Sequence, residues 1–198
     1  MSFYKIITIG EIDFSDAPKA KIDSYKWGEG YTPKAYAQLI YVKNKGFALK
    51  MTAVERNPRA LCTEYGDPVY EDSCLEFFVR FNSDSPLYMN FEVNSNGAFL
   101  ASVRKERRNK RNIHEITSLP EVKANRQDEC WTIESFFSIG MIEALFGKCD
   151  LKKGSVFFGN FYKCGDKTEH PHYGMWSPIQ ADTPDFHRPE FFGKLVIE

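Results

Sequence analysis

The stretch CLEFFVRFNSDSPLYMNFEVNSNGAFLASVR, residues 74 to 104, decides the fold. It holds three short runs, CLEFFVRF (74 to 81), YMNFEV (88 to 93) and AFLASVR (98 to 104), rich in aromatic and β-branched residues and separated by turn residues. Such runs read as strands joined by hairpins. Along the second run Met89, Phe91 and Val93 form an apolar face, and Tyr88, Asn90, Glu92 and Asn94 form the opposite one. Asn96-Gly97 is a two-residue hairpin signal, because both central positions of that turn need positive φ.

Working outward, AYAQLIYV (35 to 42), FALKMTAV (47 to 54), WTIESFF (131 to 137), VFFGNFYK (156 to 163) and GKLVIE (193 to 198) repeat the pattern. Phe47, Leu49, Met51 and Ala53 alternate with Ala48, Lys50 and Thr52, which suits one buried and one wetter face. SIGMIEALFG (138 to 147) sets Ile139, Ile142, Leu145 and Phe146 on one helical face and stops at Gly147. The expectation is an all-β protein of at least eight strands in two packed antiparallel sheets, with one or two short helices, as one domain over residues 1–198.

Composition excludes several functions. The chain has 198 residues, 42% of them hydrophobic, and a formal charge of −1. That balance exerts no long-range pull on nucleic acid or an anionic membrane, and no apolar run approaches the ~20 residues of a membrane span. No secretory signal precedes the first strand, and the five cysteines, at 62, 74, 130, 149 and 164, form no Cys-x-x-Cys pair. Scattered reduced thiols in the cytoplasm are the expectation.

RKERRNKR (104 to 111) packs six basic residues around one glutamate with no stacking aromatic among them, and reads as a solvated hairpin extension. Cys164, His170, His172 and His187 lack the tight pairing of zinc signatures; the histidines read as surface-loop residues and Cys164 as one of the scattered buried thiols. Glu76 and Glu92 lie mid-strand, where a carboxylate on a buried face is expensive. Each must meet solvent, a partner or a ligand. With Tyr88 and Asn90 they offer phenol, amide and carboxylate on one face, a set able to hydrogen-bond a polyol. They also fit the acid and nucleophile of a glycosidase, or exposed residues of a half-solvated sheet.

Five short motifs then fall in a known order: PVYEDSCLEFFVRF, YMNFEVNSNG, VFFGNFYKCGD, MWSP and FHRPEFFGKLVIE, preceded by KIDSYKWGEG. In that order the chain resembles carbohydrate-binding module family 9 and its standalone relatives over nearly its whole length. The resemblance implies a jelly-roll β-sandwich that binds, without cleaving, the end of a glucan- or xylan-type oligosaccharide between aromatic walls. Trp176 would be one wall, presented by a loop that prolines 178, 184 and 189 stiffen. Tyr70, where the family has a tryptophan, would be the other. Glu76 falls on the family's strand glutamate, Asn160 and Tyr162 fall where it offers polar groups, and Met89 stands near the place of a family arginine. Glu92 joins them from the sheet face. Trp27 and Trp131 are expected in the core. No cofactor is expected; the family allows a structural calcium, and no acidic cluster singles out its ligands. A small glycan-active enzyme using Glu76 and Glu92, or a scaffold that has lost its ligand, are the alternatives.

Overall fold

The computed structural model describes residues 2–198. Its first half contains β1 (Phe3–Ile6), β2 (Thr8–Ile9), β3 (Ala20–Ile22), β4 (Ser24–Gly28), β5 (Ala35–Val42), β6 (Gly46–Ala53), β7 (Cys74–Arg80) and β8 (Tyr88–Asn94). The second half adds β9 (Phe99–Arg104), β10 (Lys110–Asn112), β11 (Val122–Arg126), β12 (Trp131–Ser138), the helix α1 (Ile139–Phe146), β13 (Val156–Gly165), β14 (His172–Met175) and β15 (Gly193–Ile197). All eight expected strands are present with ends shifted by at most two residues, and the expected helix is α1, capped where Ser138 Oγ accepts from Met141 N at 3.1 Å.

Two sheets form a sandwich. The nine-stranded sheet runs β1-β15-β13-β7-β8-β9-β10, with β14 pairing β13 and β4; the six-stranded sheet runs β11-β12-β6-β5-β2, with β3 pairing β5. Both are antiparallel except where the N-terminal strands join, β1 along β15 and β2 along β5, each parallel. The hairpin between β8 and β9 is wider than a two-residue turn. Gly97 has φ +87° but Asn96 does not reach positive φ, and Asn94 N donates to Ala98 O across a four-residue loop.

Alternation decides what lies between the sheets. Leu75, Phe77 and Val79 of β7 and Met89, Phe91 and Val93 of β8 face inward against Leu49, Met51 and Ile133 of the other sheet. Phe77 and Phe161 stack at 4.9 Å with 12° between ring planes, and Phe47, Phe81 and Phe157 pack edgewise and tilted around them. Each fully buried phenylalanine contributes roughly 1.5–3 kcal/mol. One end of this layer is polar: Lys163, fully buried, donates to Ser73 Oγ at 2.8 Å and to His172 Nε2 at 2.6 Å, and lies 3.4 Å from Glu55. Glu55 in turn accepts from Ser73 Oγ and from Trp131 Nε1. Trp131 is thus core, as expected, and His172 is no surface residue. Burial and the Lys163 ammonium hold its imidazole neutral, at about 4.

The outer face of the nine-stranded sheet is covered as well. At one end Phe78, Tyr88 and Tyr162 lie under Met175, Ile179 and Phe192, with half-buried Trp27 at the edge. At the other, Cys74, Leu100 and Cys164 lie under Val69. Between the two covers a polar row stays open.

Candidate functional site

That row is the floor of a cleft of about 650 Å³, lined by Tyr70, Glu76, Phe78, Glu92, Leu100, Cys164 and Tyr173, by Arg104, Arg107, Arg108 and Lys110, and by Asp166 and residues 184–187. Glu76 and Glu92 stand directly opposite each other across the β7–β8 pair. They are 3% and 4% exposed, so neither is the solvated residue a half-wet sheet would carry. Burial, then Cys164 and Glu92, pushes the Glu76 carboxyl well above the usual range. Burial lifts Glu92 to about 7, against the pull of Asn90 and Arg104. Two opposed carboxylates at this depth cannot both ionise cheaply. Cys164 Sγ donates to Glu76 Oε1 at 2.8 Å, and Asn90 Nδ2 donates to Glu92 Oε1 at 2.9 Å, fixing both groups on the floor.

The walls come from loops. Tyr70, 39% exposed, sits in the 3-10 turn Val69–Glu71, whose carbonyls at 70 and 71 accept from Asp166 N and Lys167 N at 3.0 Å. Asp72 anchors the approach to that turn by accepting from Leu61 N and Cys62 N at 2.9 Å and from Asn94 Nδ2 at 3.0 Å. Phe186 lies flat on Tyr162, 4.0 Å away with 8° between planes, so one face is taken and the rest of the ring borders the cleft. Tyr162 also donates its hydroxyl to the Phe186 carbonyl at 3.2 Å. Next to it His187 Nδ1 meets Tyr88 Oη at 2.9 Å; burial, then Arg104 and Arg107, lowers it to about 3, so it is neutral here.

Of the residues expected at the site, the structure brings Tyr70, Glu76 and Glu92 together and sets three apart. Asn160 is fully buried, its amide bonded both ways to the main chain of Ser177 at 2.8 Å, so it fastens the covering loop. Tyr162 is buried beneath Phe186 and supports that wall. Trp176 does not line the cleft. Its indole packs at the sandwich rim against Phe161 at 5.6 Å and Tyr4 at 6.3 Å, and a Cβ on Gly193 would come within 2.3 Å of the ring. The aromatic residue that does border the cleft from this loop is Phe186, ten positions on.

Sequence reasoning also missed the cations. RKERRNKR is not merely solvated: Arg104, Arg107, Arg108 and Lys110 line the cleft. Met89, near the place where the resemblance expects an arginine, faces the core, and Arg104 Nε, from the neighbouring strand, donates to Asn90 Oδ1 at 2.8 Å. The β9–β10 pairing, not the charge run, was the signal.

Among the described residues, one group has metal-ligand spacing: Cys74, Glu76 and Cys164, with ligand atoms within 4.8 Å of one another. Burial pushes Cys74 up to about 12, and Cys164 is raised by Cys74 and by burial. Protonated thiols do not suit a hard cation such as calcium. All five cysteines are free. No described helix is long and apolar enough to cross a membrane.

A two-sheet sandwich with a polar cleft walled by aromatic rings is the make-up of a sugar-binding module. The chain belongs to carbohydrate-binding family 9, whose model matches residues 9–197. Members of that family are non-catalytic, which sets aside glycoside hydrolysis by Glu76 and Glu92. Among solved structures, a protein of Bacteroides uniformis ATCC 8492, provisionally described as carbohydrate-binding, is 25% identical with TM-score 0.80, over 100% of this chain and 99% of that one. A family 9 module of Caldicellulosiruptor kristjanssonii matches at 11% identity. Its glucose complex gives TM-score 0.72 over 100% of this chain and 96% of that one. Its cellotriose complex gives 0.69 over 100% and 94%. These two likenesses speak to the fold. No curated protein sequence matches the chain.

Two outcomes follow from the geometry. Trp176→Ala should lower stability by about 2–4 kcal/mol in denaturant unfolding, as expected for emptying a packed aromatic site, and leave sugar affinity unchanged. A variant that melts like the parent but binds sugar more weakly would return the indole to the ligand. The second concerns Glu92. With its folded-state value raised to about 7, it favours folding below the ordinary carboxylate range and loses that contribution as pH rises from about 4.5 through 7. The loss is on the order of 3 kcal/mol. His172 and His187, both lowered, act oppositely below pH ~6.5, so variant and parent are compared at each pH. Glu92→Gln should melt near the parent at pH ~5 and several degrees above it at pH ~8. A gap that stays constant with pH contradicts the assignment.

Proposed function

We propose that the cleft binds the end of a glucan-type oligosaccharide, clamped by Tyr70 and Phe186 and hydrogen-bonded by Glu76, Glu92 and Arg104. The observation that carries this reading is a cleft whose lining joins the buried polar groups Glu76, Glu92 and Arg104 to the loop-borne rings of Tyr70 and Phe186. A pyranose is amphipathic in the same sense, with C–H faces for rings and hydroxyls at its edge. Each ring contact contributes on the order of 1 kcal/mol. The hydroxyls both donate and accept, and so does a protonated carboxyl, the form toward which burial pushes Glu76.

The glucose and cellotriose complexes of the family 9 module from Caldicellulosiruptor kristjanssonii support a glucose-built ligand. A xylan-type end offers the same ring stacking and is the comparison ligand. Floor groups already bonded to one another lose little freedom on binding: Asn90 Oδ1 accepts from Ser102 Oγ at 2.6 Å and from Arg104 Nε at 2.8 Å.

Calorimetric titration with cellotriose and xylotriose tests the reading. Cellotriose should saturate one site and should bind less well after borohydride reduction of its end. Tyr70→Ala and Phe186→Ala should each weaken binding about tenfold, roughly 1.4 kcal/mol. Because Phe186 also packs on Tyr162, Phe186→Leu serves as the variant that keeps apolar volume while removing the ring. Parent-like affinity in the Tyr70 and Phe186 variants would overturn the clamp.

A further inference from the structure

A neutral sugar can use Arg104 as a donor but leaves its charge, and Arg108 and Lys110 beside it, unexplained. Arg104 and Lys110 stand directly opposite each other across the β9–β10 pair, and both line the cleft. Side chains so paired share one face of the sheet with Cβ atoms about 5 Å apart, and like charges there repel. Arg104 is only 8% exposed, yet its bonds all go to neutral oxygens: Nε to Asn90 Oδ1 at 2.8 Å and to Ser102 Oγ at 3.2 Å, Nη1 to the Arg107 carbonyl. The carboxyl of Glu92, on the adjoining strand, takes Asn90 Nδ2 instead. A buried guanidinium whose hydrogen bonds all go to neutral oxygens carries the desolvation penalty of its charge with only the unbonded Glu92 carboxyl near enough to offset part of it. Arg108 adds another cation to the lining, whereas Arg107 has Asp185 3.4 Å away.

The acids of the cleft do not cancel this charge. Glu76, Glu92 and Asp166 are all raised, burial being the first cause of each. They lean toward their neutral forms, and four basic side chains, Arg104, Arg107, Arg108 and Lys110, line the same cleft on its β9–β10 side.

We infer that the sugar held in this cleft carries a carboxylate, as a uronic acid unit does, and that Arg104 and Lys110 pair with it. The inference rests on the reading of the cleft as a sugar site and narrows its ligand class. A guanidinium matches a planar carboxylate through two parallel N–H···O bonds, and the opposing ammonium adds a point charge. One negative charge relieves the Arg104–Lys110 repulsion.

The test compares three probes by calorimetric titration: cellotriose, the same trisaccharide ending in glucuronic acid, and the same trisaccharide ending in a 6-phosphate. At about 50 mM salt the uronate should bind at least tenfold more tightly than cellotriose, and at about 500 mM the advantage should shrink severalfold through screening. Arg104→Gln should remove most of the advantage. Because Arg104 also braces Asn90, the paired change Arg108→Gln and Lys110→Gln, on exposed side chains, provides a variant that leaves the fold intact; it should reduce the advantage while sparing cellotriose. Equal binding of cellotriose and the uronate would overturn the inference and leave the sugar site standing. Tightest binding of the phosphate would overturn the carboxylate assignment. Binding of none of the three would sink both readings, and an advantage that neither variant changes would show that these cations are not its source.

Discussion

The nine-stranded sheet has to satisfy two faces at once, and the rest of the molecule follows from how it does so. Its inner face is an ordinary sandwich core. Its outer face carries Tyr88, Asn90, Glu92 and Asn94 on β8 and Cys74, Glu76 and Phe78 on β7, and nearly all of this is buried too. Polar groups so placed must find partners within the protein or in a ligand. At the two ends they lie among apolar covers, and in the middle row they meet the cleft. The site is therefore the part of a doubly covered sheet that the covers leave open.

The covers are held by side chains acting as strand partners. Asn160 presents its amide to Ser177 N and Ser177 O, as a neighbouring strand would, and so fixes the start of the loop that carries Phe186. Tyr162, two residues along, reaches the Phe186 carbonyl and stacks beneath its ring. Asp72 and Asn94 do the equivalent for the segment that carries Tyr70. Arg107 joins the β9–β10 turn to the 184–187 bend through Asp185. Rigid walls over a fixed floor reduce the ordering that a ligand must otherwise impose.

Strand positions were legible in the sequence because the inner face is uniformly apolar, so alternation survives even where the other face is buried. Glu76 and Glu92 were legible as residues of the candidate cleft for the same reason, being carboxyls with no place on that inner face. Trp176 was not. Whether its indole packs or projects depends on Gly193, seventeen residues later, and on Tyr4 at the other end of the chain. Phe186 sat between prolines in an irregular loop with no periodicity to give it a face. The charge run from Arg104 to Arg111 read as solvated because the sequence does not say which side of a hairpin faces a cleft; the register that sets Lys110 opposite Arg104 does. Asn160 and Tyr162 fall in the right strand but act beneath the surface they were expected to form.

The central claim is that ligand binds on the outer face of the nine-stranded sheet, between Tyr70 and Phe186, and not at Trp176. Amide and indole chemical shifts during titration with cellotriose test it most directly, because the three tryptophans report from separate places. The account predicts that shifts concentrate at Tyr70, Glu76, Glu92, Arg104 and Phe186, with a small response of the Trp27 indole behind Phe186 and none from Trp131 or Trp176. Saturable shifts centred on Trp176, with the strand residues of the floor unmoved, would contradict it.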